Sequence, residues 1–215
     1  AIYRWSRQDT TTYLSQEQVW AMDDIRAEGG RLVRVLSRDN GRKAILRIYD
    51  DSHIHPSETE ITVAMKTLVD RPAVPAFVTG HGERSMSDNG DNGYGLLATH
   101  RVARHALINQ GFAPREISLE KPIPIDVDFL VISDVKSPFS ERELENYRKF
   151  LDRGGNALIL GEPRRQKDMN PLVEPFGLKF ADDILVSPNE LFSDDLIIAN
   201  VRTSETMSPS FAAMS

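Results

Sequence analysis

Five side chains with acid, base or charged heads fall in two short loops. His81, Glu83 and Arg84 lie in Gly80-His-Gly-Glu-Arg-Ser85, and Asp134 and Lys136 lie in Asp134-Val-Lys-Ser137. An imidazole beside carboxylates can hold or move a proton, and Arg and Lys can hold an anionic group. Gly80 and Gly82 let the backbone turn tightly around the first three. The set reads as a polar, mixed-charge site for a small ligand or a peptide. It also reads as plain structure, with glycines serving the turn and His81 and Glu83 satisfying backbone groups or each other. Both readings stand at this stage.

Other chemistries are weaker or excluded. The loop after residue 79 is neither a G-x-G-x-x-G fingerprint nor a Gly-Lys-Ser/Thr phosphate loop. The chain has no cysteine, which removes thiolate nucleophiles, thiolate metal sites and disulfides. His53, His55 and Glu58 have metal-ligand types, but no third ligand is fixed by their spacing, and they read as exposed loop residues. Asp88 to Gly93 resembles a calcium loop without the closing Glu, and turn chemistry alone accounts for it. The net charge of −6 argues against nucleic acid, and Arg164-Arg-Gln-Lys167 reads as a solvated loop. No catalytic residue, metal or cofactor is assigned.

The elements that must position the two loops are legible. Ser15 with Gln18, Ser57 with Glu60, and Ser140 with Glu143 have capping-box spacing and start three helices. The first helix carries Val19, Met22 and Ile25 and runs to Gly29-Gly30; the second carries Ile61, Ala64, Met65 and Leu68 and stops at Arg71-Pro72. Between them, 32–36 and 44–49 read as strands of a hairpin turned at Asn40-Gly41, with positive φ at both turn positions. From residue 74 the pattern alternates strand and helix. Strands are expected at 74–79, 116–119, 128–133 and 157–160, and helices at 94–110, with Leu97 inward, and after Ser140. Residues 177–200 are expected to add edge strands.

Right-handed crossovers then give a doubly wound, mostly parallel α/β sheet in the order 116–119, 74–79, 128–133, 157–160. Ligands of such sheets sit beyond the carboxyl ends of the strands where the order reverses. That point lies between strands 74–79 and 128–133, which is where Gly80–Arg84 and Asp134–Lys136 meet. The expected organisation is a helix/hairpin/helix extension over 1–71 packed on the main domain, a sheet domain over 72–200 and a flexible tail over 201–215. Polar residues 1–13 form a lead-in. No apolar run is long enough to span a membrane. The chain starts at Ala1, and we expect it to be a piece of a longer protein whose anchor lies outside it.

In order, Ala76-Phe-Val-Thr-Gly-His-Gly-Glu83, Asp128-Phe-Leu-Val-Ile132, Pro138-Phe-Ser-Glu-Arg-Glu-Leu144 and Phe150-Leu-Asp-Arg-Gly-Gly-Asn156 resemble the auxiliary domain of uncharacterised ABC-type transport systems. The GldG-like proteins associated with gliding motility are familiar members. The resemblance runs over roughly residues 30–190. It implies a flavodoxin-like or class I glutamine amidotransferase-like sheet in an extracytoplasmic (periplasmic) domain, tethered to the membrane by helices absent from this chain. The implied partners are an ABC-2-type permease and an ATPase, with no established catalytic residues and no cofactor. The resemblance implies a non-catalytic domain that binds a substrate or partner protein. An amidotransferase of this fold needs a Cys on a strand-to-helix elbow, and Leu160-Gly-Glu-Pro163 offers no nucleophile. Two alternatives remain: a hydrolase or carbohydrate-active enzyme using His81, Glu83 and Asp134, and a purely structural protein–protein interaction module.

Overall fold

The computed structural model describes residues 13–49, 51, 53, 55–188, 193 and 195–196. Most of the expected lead-in and the whole of the expected tail over 201–215 lie outside the described residues.

All three capping boxes form, because each Ser accepts the free N–H three residues on while the Gln or Glu there accepts the Ser N–H. They start α1 (Gln16–Met22), α2 (Glu58–Val69) and α4 (Glu141–Asp152). α1 is shorter than expected. It ends at the extended Asp23, and Gly29, at φ 63°, closes a separate 3-10 turn at Arg26–Glu28. Its stripe buries nothing, so no packing energy extends it.

β1 (Val33–Ser37) and β2 (Lys43–Arg47) form the antiparallel hairpin, with Leu36 opposite Ala44. In its turn only Gly41 takes positive φ (82°), not both residues, because Arg38 to Arg42 form a longer loop closed by the Arg38 N–H on the Arg42 carbonyl. Ala44 and Leu46 pack on Ala64 of α2.

The main sheet holds β3 (Pro75–Val78), β4 (Arg115–Ile117), β5 (Phe129–Ser133) and β6 (Asn156–Leu160). All four are parallel, in the order β4-β3-β5-β6, which is the expected order. Every residue of β3 is buried, as a strand covered on both faces must be. Ala76, Val78, Leu130 and Ile132 face Tyr147 and Phe150 of α4 and Met169 and Leu172 of α5 (Gln166–Val173). Phe77 and Val131 face Ala98, Tyr94 and Leu107 on the opposite side. The fold is thus a doubly wound α/β sheet. Within the first layer, the Tyr147 hydroxyl donates to the Leu172 carbonyl at 2.9 Å, and burial pushes its pKa up to about 12.

The helix expected over 94–110 does not form as one element. α3 is only Gly95–Ala98, followed by turns and a 3-10 turn at Leu107–Asn109. The buried Asn109 amide donates to the carbonyls of His100, Arg101 and Ala103, and Gln110 donates to that of Arg104. The His100 and Ala103 carbonyls also accept the Ala103 and Ala106 N–H groups in tight turns, so turns and side chains hold what helical N–H groups would have taken. Leu97, expected inward, is half exposed. Among the described residues of 177–200 no strand forms. The Phe180 N–H is taken by the Asn170 side chain, and its ring packs on Gly161, where a Cβ would lie 2.4 Å from it. This draws the segment along α5, and Ile184, Leu185 and Val186 stay exposed.

Arg47 of β2 ties the hairpin inward through Glu28 (2.7 Å) and the Asn109 carboxamide oxygen (2.9 Å). Burial pushes the Glu28 carboxyl up, but the hydrogen bonds and charge of Arg47, with Arg101, outweigh it and hold the group below its ordinary value. Asn109→Ala strips the side-chain donor from half-buried carbonyls and the acceptor from Arg47. We expect it to lower stability by about 1–3 kcal/mol, read as a fall in the urea midpoint at unchanged slope. A change below about 0.5 kcal/mol would show that Asn109 does not hold the 100–109 loop.

Candidate functional site

The expected site lies at the crest of the sheet, beyond the carboxyl ends of β3 and β5. After Val78 the Thr79 N–H donates to the Ile117 carbonyl of β4. Gly80 (φ 126°) and Gly82 (φ 80°) then turn the chain back on either side of His81. After Ser133, Asp134 takes φ 57°, a left-handed conformation that Asp tolerates better than most residues. The two loops meet where the Lys136 N–H donates to the His81 carbonyl at 2.8 Å. Gly82 is needed twice over: its φ is positive, and a Cβ would come within 3.1 Å of the Lys136 side chain.

The seven expected residues divide into a buried group and a rim. His81 and Glu83 turn inward, with side chains 12% and 1% exposed. The imidazole packs against Phe139, with centroids 4.3 Å apart and the rings tilted by 42°. Its Nδ1 faces Oε1 of Glu83 at 3.6 Å, and its Nε2 faces Oε2 of Glu143 at 3.4 Å. Glu83 is fixed by the His81 N–H, which donates to its Oε2 at 2.6 Å. Glu143 accepts the Ser140 N–H and hydroxyl at 2.8 and 2.7 Å. Burial pushes the Glu143 carboxyl up; the Ser140 hydrogen bonds and the charge of His81 outweigh that and leave it below the ordinary carboxylate value.

Arg84, Asp134 and Lys136 form the rim. Arg84 lies 3.3 Å from Asp134 and 3.6 Å from Glu162, and Lys136 lies 3.9 Å from Asp134. These spacings exceed the roughly 2.7–2.9 Å of a strong charge-assisted bond. Elsewhere in the molecule Arg71–Asp128 and Arg115–Asp126 close to 2.6 and 2.7 Å. Cavities of about 330, 210 and 570 Å³ lie away from the crest, the first between Lys66, Arg71 and Phe112, the last beside Leu158 and Phe176.

Sequence reading missed Glu143 and Glu162. Glu143 was visible only as the third residue of a capping box, and nothing local shows that its second face meets His81. Glu162 stands in the turn after β6, where the sequence offers no nucleophile. Ser85, the hydroxyl nearest His81 in sequence, bonds Ser87 and Glu116 (2.7 and 2.8 Å) instead. His53 is an exposed loop residue, its Nδ1 3.9 Å from Asp51. Asp88 folds on its own turn, accepting the Gly90 and Gly95 N–H groups. His100 and His105 lie in the loop that replaces the expected helix. Among the described residues no group of three His, Asp or Glu is placed to hold a metal, and no helix is long and apolar enough to cross a membrane.

A family model described as "ABC-type uncharacterized transport system" matches residues 73–210. The match begins at β3, so the hairpin and α2, included in the expected resemblance from residue 30, lie outside it. No curated protein and no solved structure matches the chain.

Two outcomes test this geometry. Gly82→Ala puts a Cβ at positive φ against Lys136, and we expect a loss of about 1–3 kcal/mol in denaturant unfolding; a neutral result would show that the loop has room to move. Glu143 titrates lower folded than unfolded, so its contribution is present above the ordinary carboxylate value and is lost as pH falls through the depressed one. Glu143→Gln, which keeps the cap, should flatten that acid limb of the stability curve. An unchanged limb would assign acid sensitivity to other carboxylates.

Proposed function

We propose that this chain, which belongs to the ABC-type uncharacterized transport system family, acts as a non-catalytic auxiliary domain on the extracytoplasmic face of its transport system. In this reading it docks one protein partner, the ABC-2-type permease of its permease–ATPase system, on the crest of the sheet. The observation that carries it is the rim of Arg84, Asp134, Lys136 and Glu162, whose charges stand 3.3–3.9 Å apart. Loosely paired, partly exposed charges exchange intramolecular for intermolecular partners at small cost, and their pattern of both signs gives register and specificity.

Two features support binding over catalysis. Both nitrogens of His81 already face protein carboxylates, which leaves none to take a proton from a substrate. The Ser85 hydroxyl is held by Ser87 and Glu116. A protein surface suits the rim better than a small ligand, because the larger cavities lie elsewhere.

The test is association of the purified chain with the reconstituted permease–ATPase complex of its own system. The double variant Arg84→Glu/Lys136→Glu, with its melting temperature retained, should bind at least about tenfold more weakly, ~1.4 kcal/mol. Wild-type chain that does not associate, or a variant that binds as well, overturns the proposal.

A further inference from the structure

The buried row Glu83–His81–Glu143 has a property that partner binding does not use. A neutral imidazole has one N–H and one lone pair. Here each ring nitrogen faces a carboxylate oxygen, at 3.6 Å on Glu83 and 3.4 Å on Glu143. In either tautomer of a neutral ring, one unprotonated nitrogen therefore lies within 3.6 Å of a carboxylate oxygen. Neither carboxylate is free to swing away. Glu83 is anchored by the His81 N–H, and Glu143 by the Ser140 N–H and hydroxyl. The Glu83 and Glu143 side chains are 1% and 7% exposed, so bulk solvent screens the contacts little. His81 Nδ1 and Glu83 Oε1 are both buried and without a hydrogen-bond partner. Two nearly buried carboxylates beside an uncharged ring would be an uncompensated double charge, which is costly.

We propose that this row holds one extra proton, with both ring nitrogens donating to the flanking carboxylates, and that the proton latches the Gly80–Arg84 loop to the first turn of α4. The charged groups facing the imidazole are Glu83 from its own loop and Glu143 from α4. Phe139, packed against the ring, is uncharged. The β5–α4 loop meets His81 through the Lys136 backbone N–H, while the Lys136 ammonium and the Arg84 guanidinium turn to Asp134 on the rim. Taking up the proton turns two long contacts into ion-paired hydrogen bonds. Losing it at higher pH restores an unprotonated nitrogen beside a carboxylate and pushes the loop outward, with Gly80 and Gly82 as pivots. The proton belongs to the row as a coupled set rather than to one residue. The latch sets the shape of the crest by pH, and it holds whether or not the crest docks a transporter component.

The experiment needs no ligand. The imidazole ¹⁵N signals of the isotope-labelled chain are followed from about pH 5 to about pH 9, with His81 assigned by loss of its signals in His81→Gln. In parallel, the exchange of the Lys136 amide, which donates to the His81 carbonyl, reports loop opening. We expect both His81 nitrogens protonated at neutral pH. Opening of Lys136, corrected for intrinsic exchange, should rise with pH by on the order of tenfold, and this rise should be absent in His81→Gln. Glu143→Gln keeps the capping box, since Gln serves at that position, and should leave the imidazole ¹⁵N signals of His81 those of a neutral ring at a lower pH than in the wild type. Glu83→Gln should move them the same way. A neutral, single-tautomer imidazole at neutral pH in the wild type overturns the proposal, as does a Lys136 amide whose opening does not change with pH. If a Gln variant fails to fold, the wild-type titration alone decides.

Discussion

The structure depends on the double burial of β3. The strand pairs with β4 on one side and β5 on the other, and all four of its residues are buried. Ala76 and Val78 point to the layer of α4 and α5, and Phe77 to the layer of Tyr94 and Ala98. The chain leaves β3 toward β4 and returns to β5 on the far side, so the loops after β3 and β5 diverge and leave a crevice between them. Both ends of the β3–β5 pair are pinned by local bonds. At the amino end the Asp128 carboxylate accepts the Val74 N–H and the Arg71 guanidinium. At the carboxyl end the Lys136 N–H on the His81 carbonyl closes the crevice floor.

Charge plays a different part on each side of this core. In the hairpin and α2, Arg47 pairs with Glu28, and Arg104 with Asp51 and Glu60, all with little exposure at the arginines. Such buried pairs repay their desolvation only in good geometry, so they fix where the hairpin sits more than they add stability. Apolar contacts such as Ala44 and Leu46 on Ala64 supply the driving force. At the crest the order is reversed. The rim charges are partly exposed, while His81, Glu83 and Glu143 are largely buried at similar spacing. The docking and the latch proposed above call for this difference in burial, and the two sets of groups share one loop.

The far edge of the sheet follows the same logic of coverage. On β6, Ala157 and Ile159 pack toward the core, whereas Leu158 and Leu160 remain half exposed. Among the described residues that face is only partly covered. Phe180 is drawn to Gly161 and Asn170 instead of pairing with the strand, which is why the expected additional strands do not form there.

The sequence by itself determined what short-range rules control. The three capping boxes, the all-buried strand at 75–78, the order β4-β3-β5-β6 and the convergence of Gly80–Arg84 with Asp134–Lys136 follow from spacing, periodicity and the handedness of crossovers. The Ala76–Asn156 motif order likewise carried the family. Tertiary structure alone decided the rest. Helical periodicity in 94–110 gave way to the Asn109 side chain, which captures carbonyls that a helix would have used, and no local signal announces that competition. The apolar run at 184–186 found no strand to join. Glu143 caps its own helix by a rule visible in sequence, yet its contact with His81 spans 62 residues, 143 − 81. Contacts of that separation depend on where the strands set their ends, and so only the folded sheet makes them.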